Sequence, residues 1–236
     1  MKILLSIFSF TFIIEAQCLI AIDIGHTPKQ AGATSARGIT EYKYNKRAAI
    51  SLYYTLEQKG LEPFFINAEE REIKLNTRAK IANDTNANLF ISMHHDSVKE
   101  KYLSTWTYNK KTHKYSDTFN GYSLFVSPKN KQFKESLRVA KEIGFVLNKE
   151  GYTPTLHHAE PIKGENKKLY DRKKGIYRYD NLVVLKRSNA PAVLIENGVI
   201  VNRNELNKID NPEYREAFIS ALAKGINNWC RTRTHE

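Results

Sequence analysis

Short apolar runs alternate with segments of helical period along most of this 236-residue chain, and that alternation constrains the fold more than any other feature. Residues 18–25 (CLIAIDIG), 62–67, 89–95 and 121–127 are such runs, and two more occupy 182–186 (LVVLK) and 191–197 (PAVLIEN). A continuous apolar run suits a strand buried on both faces, which is the condition of a parallel sheet covered by helices. Between the runs, Tyr44, Ala48, Leu52 and Leu56 recur at helical spacing from a Thr40 N-cap to a stop at Gly60. Helices are also expected over 73–86, with Leu75, Ala79 and Ala82 inward, over 128–150, and over 212–229. The pattern predicts a single three-layer α/β domain, with a mostly parallel twisted sheet of about six strands flanked by helices. Two polar, lysine- and tyrosine-containing stretches at about 96–120 and 152–180 show no clear period and read as long functional loops.

The first residues address the chain. Met1–Lys2 precedes a twelve-residue apolar stretch, Ile3–Ile14, which fits a secretory signal and is too short to span a bilayer. Cleavage is placed after Ala16, so residues 1–16 form the signal and 17–236 the mature domain. No transmembrane segment is expected, and the chain is expected to be exported, with the periplasm favoured over secretion beyond the cell. The formal charge of +12 calls for a polyanionic neighbourhood. Export and the lack of a binding motif argue against nucleic acid and leave an anionic wall or membrane surface. The two cysteines, Cys18 and Cys230, cannot make a disulfide scaffold. The last helix, however, should end beside the start of the first strand, where one disulfide between them is sterically reasonable.

Catalytic groups in open α/β sheets collect at the carboxyl ends of strands. His26 follows the first run, His94 closes the third with His95 beside it, Glu196 ends PAVLIEN, and Glu41 opens the first helix at the same sheet edge. Two imidazoles and a carboxylate make a zinc site with an open position for water, and a further carboxylate off the metal can take the water proton. Each residue alone has a plainer explanation: a loop histidine, or a glutamate favoured by a helix dipole. Their joint placement carries the expectation.

IAIDIGHTP (20–28), GITEY (38–42), RAKIANDTNANLFISMHHD (78–96) and PAVLIENGVIVN (191–202) together resemble the zinc-dependent N-acetylmuramoyl-L-alanine amidases. The resemblance implies one Zn2+ per chain held by His26, Glu41 and His94, with Glu196 as the catalytic carboxylate. The substrate it implies is peptidoglycan, cut at the amide between N-acetylmuramic acid and L-alanine. It also implies a protein activator or a self-inhibitory segment, with 156–180 as the place for it. Two departures from the family pattern bear on substrate contacts: His95-Asp96 stands where the family commonly has Ala-Asn, and Val199 where it has an aromatic. His95, Asn197 and Trp106 are the candidates for such contacts, with the assignment open. His95 should face away from His94, because neighbouring strand residues alternate. His157 and His158 read as plain loop histidines. The competing functions are a zinc peptidase acting within the stem peptide and a non-catalytic wall-binding protein.

Overall fold

Residues 18–233 are described by the structure, a computed structural model, and the expected signal, residues 1–16, lies outside the described residues. The first apolar run forms β1 (Leu19–Ile24), and α1 (Glu41–Glu57), β2 (Glu62–Phe65), α2 (Leu75–Asp84) and β3 (Leu89–Asp96) follow in the expected alternation. Next come a hairpin, β4 (Ser104–Tyr108) with β5 (Lys111–Tyr115), then β6 (Ser123–Val126) and α3 (Phe133–Lys149). The chain closes with β7 (Leu169–Asp171), β8 (Ile176–Arg178), α4 (Val183–Arg187), β9 (Ala192–Val199), α5 (Arg203–Asp210) and α6 (Pro212–Thr232).

One seven-stranded sheet in the order β2-β1-β3-β9-β6-β8-β7 organises the domain. β2, β1, β3 and β9 are mutually parallel, β6 runs antiparallel to β9, and β7 is an antiparallel edge on β8. Side-chain alternation divides each strand between two cores. Ile20, Ile22, Ile24, Met93 and Ile195 meet α1, α3 and α6, whereas Ala21, Phe90 and Leu194 meet Ala82 of α2 and Val184 and Leu185 of α4. The three layers follow from two apolar faces that must both be covered. Cys18 and Cys230 are joined by a disulfide, their Cα atoms 6.0 Å apart, which ties the start of β1 to the end of α6.

Several expectations need correction. Residues 182–186 are not a strand: Val184 and Leu185 are buried side by side on one flank of the short helix α4, which rests on α2. A five-residue apolar run fits either state, and tertiary contact decides between them. The sheet still has seven strands, because the expected loop at 152–180 contributes β7 and β8. The other loop holds the β4–β5 hairpin, turned at Asn109 and Lys110, both with positive φ, as a two-residue reverse turn between twisted strands requires. Leu75 is 50% exposed rather than inward, because the buried stripe of α2 begins at Arg78.

Candidate metal centre and active site

Glu41 is the first residue of α1, so its carboxylate projects back over the carboxyl ends of β1 and β3. Its Oε2 lies 3.1 Å from His26 Nε2 and its Oε1 lies 3.0 Å from His94 Nδ1. Ligand atoms of the three residues all fall within 4.8 Å of one another, a donor set that fits a zinc-type ion. The carboxylate is oriented by the Ala33 N–H on Oε2 at 3.0 Å and by Asn45 Nδ2 on Oε1 at 3.1 Å. Burial opposes ionisation of Glu41, but hydrogen bonds and charge from His26 and His94 outweigh it and hold the carboxyl far below its ordinary range. Burial likewise disfavours a charged His26, and Glu41 overcomes this to raise its pKa.

The backbone is shaped to this cluster. His26 has φ of 68°, a left-handed conformation uncommon for a residue with a side chain. Arg78 of α2 holds the turn by donating to Ile24 O and His26 O, each at 2.6 Å, while forming a 2.6 Å ion pair with Asp23. Asp23 in turn accepts from Ser92 Oγ at 2.7 Å. Gly25 lies under the His94 ring, where a Cβ would collide with three ring atoms. Gly32, at φ +72°, lies equally close to Glu41 and His26. Both positions need the missing side chain.

His94 and Glu196 are register partners on adjacent parallel strands, so their side chains leave the same face of the sheet side by side. Glu196 Oε2 is buried with no hydrogen-bond partner. Burial pushes its pKa well above the ordinary carboxylate range, and the Asp96 and Glu41 carboxylates add to the effect. Glu196 therefore stands beside the His–Glu–His cluster as a carboxyl poised to hold a proton. Both groups line a cleft of about 410 Å³ that continues past Asp96, His158 and Glu165. An adjoining groove of about 720 Å³ shares His26 and His94 and extends along Leu75, Asn76 and Leu182.

The three candidates for substrate contacts do not gather there in the same way. His95 points to the opposite face from His94, with Nδ1 2.9 Å from Asn45 Oδ1 and its ring tilted against Tyr44. Its burial depresses the imidazole pKa to about 3, so the ring is neutral. Asn197 Nδ2 donates to His94 O at 2.7 Å where the β3–β9 register shifts, so its amide braces the irregularity. Trp106 donates from Nε1 to Ala36 O at 2.7 Å and stacks on Tyr108, docking the hairpin onto the 26–40 loop.

The reading of His157 and His158 as plain loop residues does not describe their setting. Both are buried, His158 Nε2 lies 2.6 Å from Asp96 Oδ2, and His158 Nδ1 lies 2.8 Å from Glu165 Oε2. Burial works against a charged His158, yet the two carboxylates raise its pKa to about 9, while burial lowers that of His157. The available signal was the departure at Asp96 together with an adjacent histidine pair and a glutamate seven residues on.

A three-layer α/β fold here carries, at the carboxyl edge of its parallel strands, a His–Glu–His cluster that could hold a metal ion and a buried glutamate beside it, the place where α/β enzymes gather their sites. The chain belongs to the N-acetylmuramoyl-L-alanine amidase family, whose model matches residues 20–228. It is 26% identical to a putative N-acetylmuramoyl-L-alanine amidase of Buchnera aphidicola subsp. Schizaphis graminum, over 90% of this chain and 96% of that protein. It is 27% identical to the probable amidase AmiB of Haemophilus influenzae, over 95% of this chain but only 56% of that longer protein. The amidase Ami1 of Mycobacterium smegmatis shares the fold, with a TM-score of 0.72 at 17% identity over 93% of this chain and 99% of that one.

Proposed function

We propose that the chain is a zinc-dependent amidase that cuts peptidoglycan between the lactyl group of N-acetylmuramic acid and L-alanine. The observation that carries this reading is the convergence of His26, Glu41 and His94 within 4.8 Å, beside a Glu196 whose Oε2 has no partner. His26, Glu41 and His94 would hold the ion, which when bound supplies a water of lowered pKa and polarises the scissile carbonyl. Glu196 would take the proton from the attacking water and return it to the leaving amine of L-alanine. Its raised pKa suits the second half of that task, since the carboxyl must retain the proton until the amine departs. Asn45 and Ala33 keep the Glu41 carboxylate aimed at both imidazoles throughout.

Export belongs to the same proposal. A disulfide at Cys18–Cys230 is what an oxidising compartment permits, which supports reading 1–16 as a signal and the periplasm as the destination. Among the described residues no helix is long and apolar enough to cross a membrane. Gly164, Glu165 and Lys167 wall the cleft, which supports 156–180 as a self-inhibitory segment or an activator's target. Removing residues 160–175 is expected to change the rate without changing the bond cut, and an unaltered rate would contradict regulation from this wall.

The test is a mass-resolved digest of purified peptidoglycan with and without a chelator, followed by zinc restoration. Intact stem peptides beginning with L-alanine should appear, vanish on chelation and return with zinc. Shorter stem fragments would support a peptidase instead, and an undiminished digest after complete metal removal would overturn the zinc reading.

A further inference from the structure

Asp96, His157 and His158 form a second cluster that the amide-cleaving groups do not use. Asp96 Oδ1 accepts the Ser97 N–H at 2.8 Å, which leaves Oδ2 as the free face of the carboxylate. His158 Nε2 and His157 Nε2 both point at that one oxygen, at 2.6 and 3.4 Å. Each imidazole is fixed from behind: Thr155 Oγ1 lies 2.8 Å from His157 Nδ1, and Glu165 Oε2 lies 2.8 Å from His158 Nδ1. An oxygen partner on Nδ1 with Nε2 aimed inward is how proteins orient metal-binding histidines. His157 is only 2% exposed, and its Nε2 has no hydrogen-bond partner. A buried imidazole nitrogen left bare but aimed at a carboxylate is expensive for a merely structural cluster and appropriate for a ligand.

We propose that Asp96, His157 and His158 bind a second divalent metal ion of the zinc class, in the cleft that also holds Glu196. Two imidazoles and one carboxylate leave a fourth position for water, and neighbouring donors in a tetrahedral zinc site lie about 3.3 Å apart. The His157–Asp96 distance of 3.4 Å already meets that spacing, whereas the His158–Asp96 contact at 2.6 Å must open by about 0.7 Å when its proton gives way to the ion. Phe119 and Phe125 pack against the two rings and keep the site dry on that side. Because Asp96 and His158 line the same cleft as His94 and Glu196, an ion there would face the scissile region of a bound glycopeptide. The assignment does not depend on how His26, Glu41 and His94 are read.

Zinc titration of metal-stripped protein, with bound metal counted after gel filtration, tests it. Wild type should hold two equivalents, His157→Gln one, His26→Gln one, and the double variant none. Metal content unaffected by His157→Gln, whether wild type holds two equivalents or one, would overturn the second site. Two equivalents retained in His26→Gln would count against the first cluster alone, so the two failures are distinguishable. Should a variant not fold, anomalous diffraction from zinc-soaked wild-type crystals decides. A peak about 2.0–2.2 Å from both Nε2 atoms and Asp96 Oδ2 is expected, and no peak at saturating zinc would end the proposal.

Discussion

Arg78 Nη1 meets Asp23 Oδ1 at 2.6 Å with the two side chains only 3% and 2% exposed, and the same guanidinium caps the carbonyls of Ile24 and His26. The pair links α2 to the end of β1 and holds His26 in its left-handed conformation, so the fold's interior and the first cluster share one support. Arg78→Met would leave Asp23 charged and buried with Ser92 as its remaining side-chain partner. The expected cost is about 3–5 kcal/mol of stability, with metal affinity reduced about 10–100-fold. Urea unfolding and a competitive zinc titration measure both, and a variant as stable as wild type would contradict this role.

Gly25 predicts a steric effect on a single side chain. A methyl group there would strike the His94 ring, which is held by Glu41 on its other side. Gly25→Ala should cost about 1–3 kcal/mol and depress hydrolysis far more than binding of peptidoglycan. Equal activity in the variant would mean that the ring has room to move.

Glu205 is 8% exposed and accepts the Gly121 and Val199 N–H groups, each at 2.7 Å. Burial raises its pKa from 4.5 to about 7 despite those bonds. The folded state therefore holds this proton more tightly than the unfolded one. The resulting stability is complete below about 4.5 and is lost as pH rises through about 7, a change on the order of 3 kcal/mol. Wild type should lose stability relative to Glu205→Gln between about pH 5 and about pH 8, because the amide does not titrate. A difference constant with pH would show that Glu205 does not titrate in this way.

The Cys18–Cys230 disulfide closes a loop of 212 residues between the first strand and the last helix. Removing it with Cys18→Ser and Cys230→Ser should lower stability by about 2–5 kcal/mol without changing the bond cut. Denaturant melts with and without reductant check this. Identical midpoints would show that packing of α6 against α1 and α3 already holds the two ends together.

What could be read in the sequence is what backbone physics makes local. The runs ending at His26, His94 and Glu196 became β1, β3 and β9 because an apolar stretch of that length has few other ways to hide both faces, and the parallel order puts their ends together. The disulfide joins the ends that the run-back of a final helix brings close. Segment 182–186 was ambiguous because five apolar residues carry no period, and only the surface of α2 settles them as a helix. The β4–β5 hairpin was hidden by its polar outer face, since Thr105, Thr107, Thr112 and Lys114 alternate with half-buried Trp106, Tyr108, His113 and Tyr115. The Asp96–His157–His158 cluster was hidden for another reason: Asp96 is 61 or more residues from the histidine pair and meets it only because 157–159 crosses the end of β3.

If Glu196 moves the proton while His26, Glu41 and His94 hold the ion, one substitution separates the two tasks. The most direct measurement is turnover of purified peptidoglycan by Glu196→Gln alongside its zinc content at the first cluster. Rate should fall about 10²–10⁴-fold, with the metal bound to His26, Glu41 and His94 unchanged. A variant that keeps its rate, or that loses its zinc together with its activity, would show that Glu196 and the His–Glu–His cluster do not divide the work in this way.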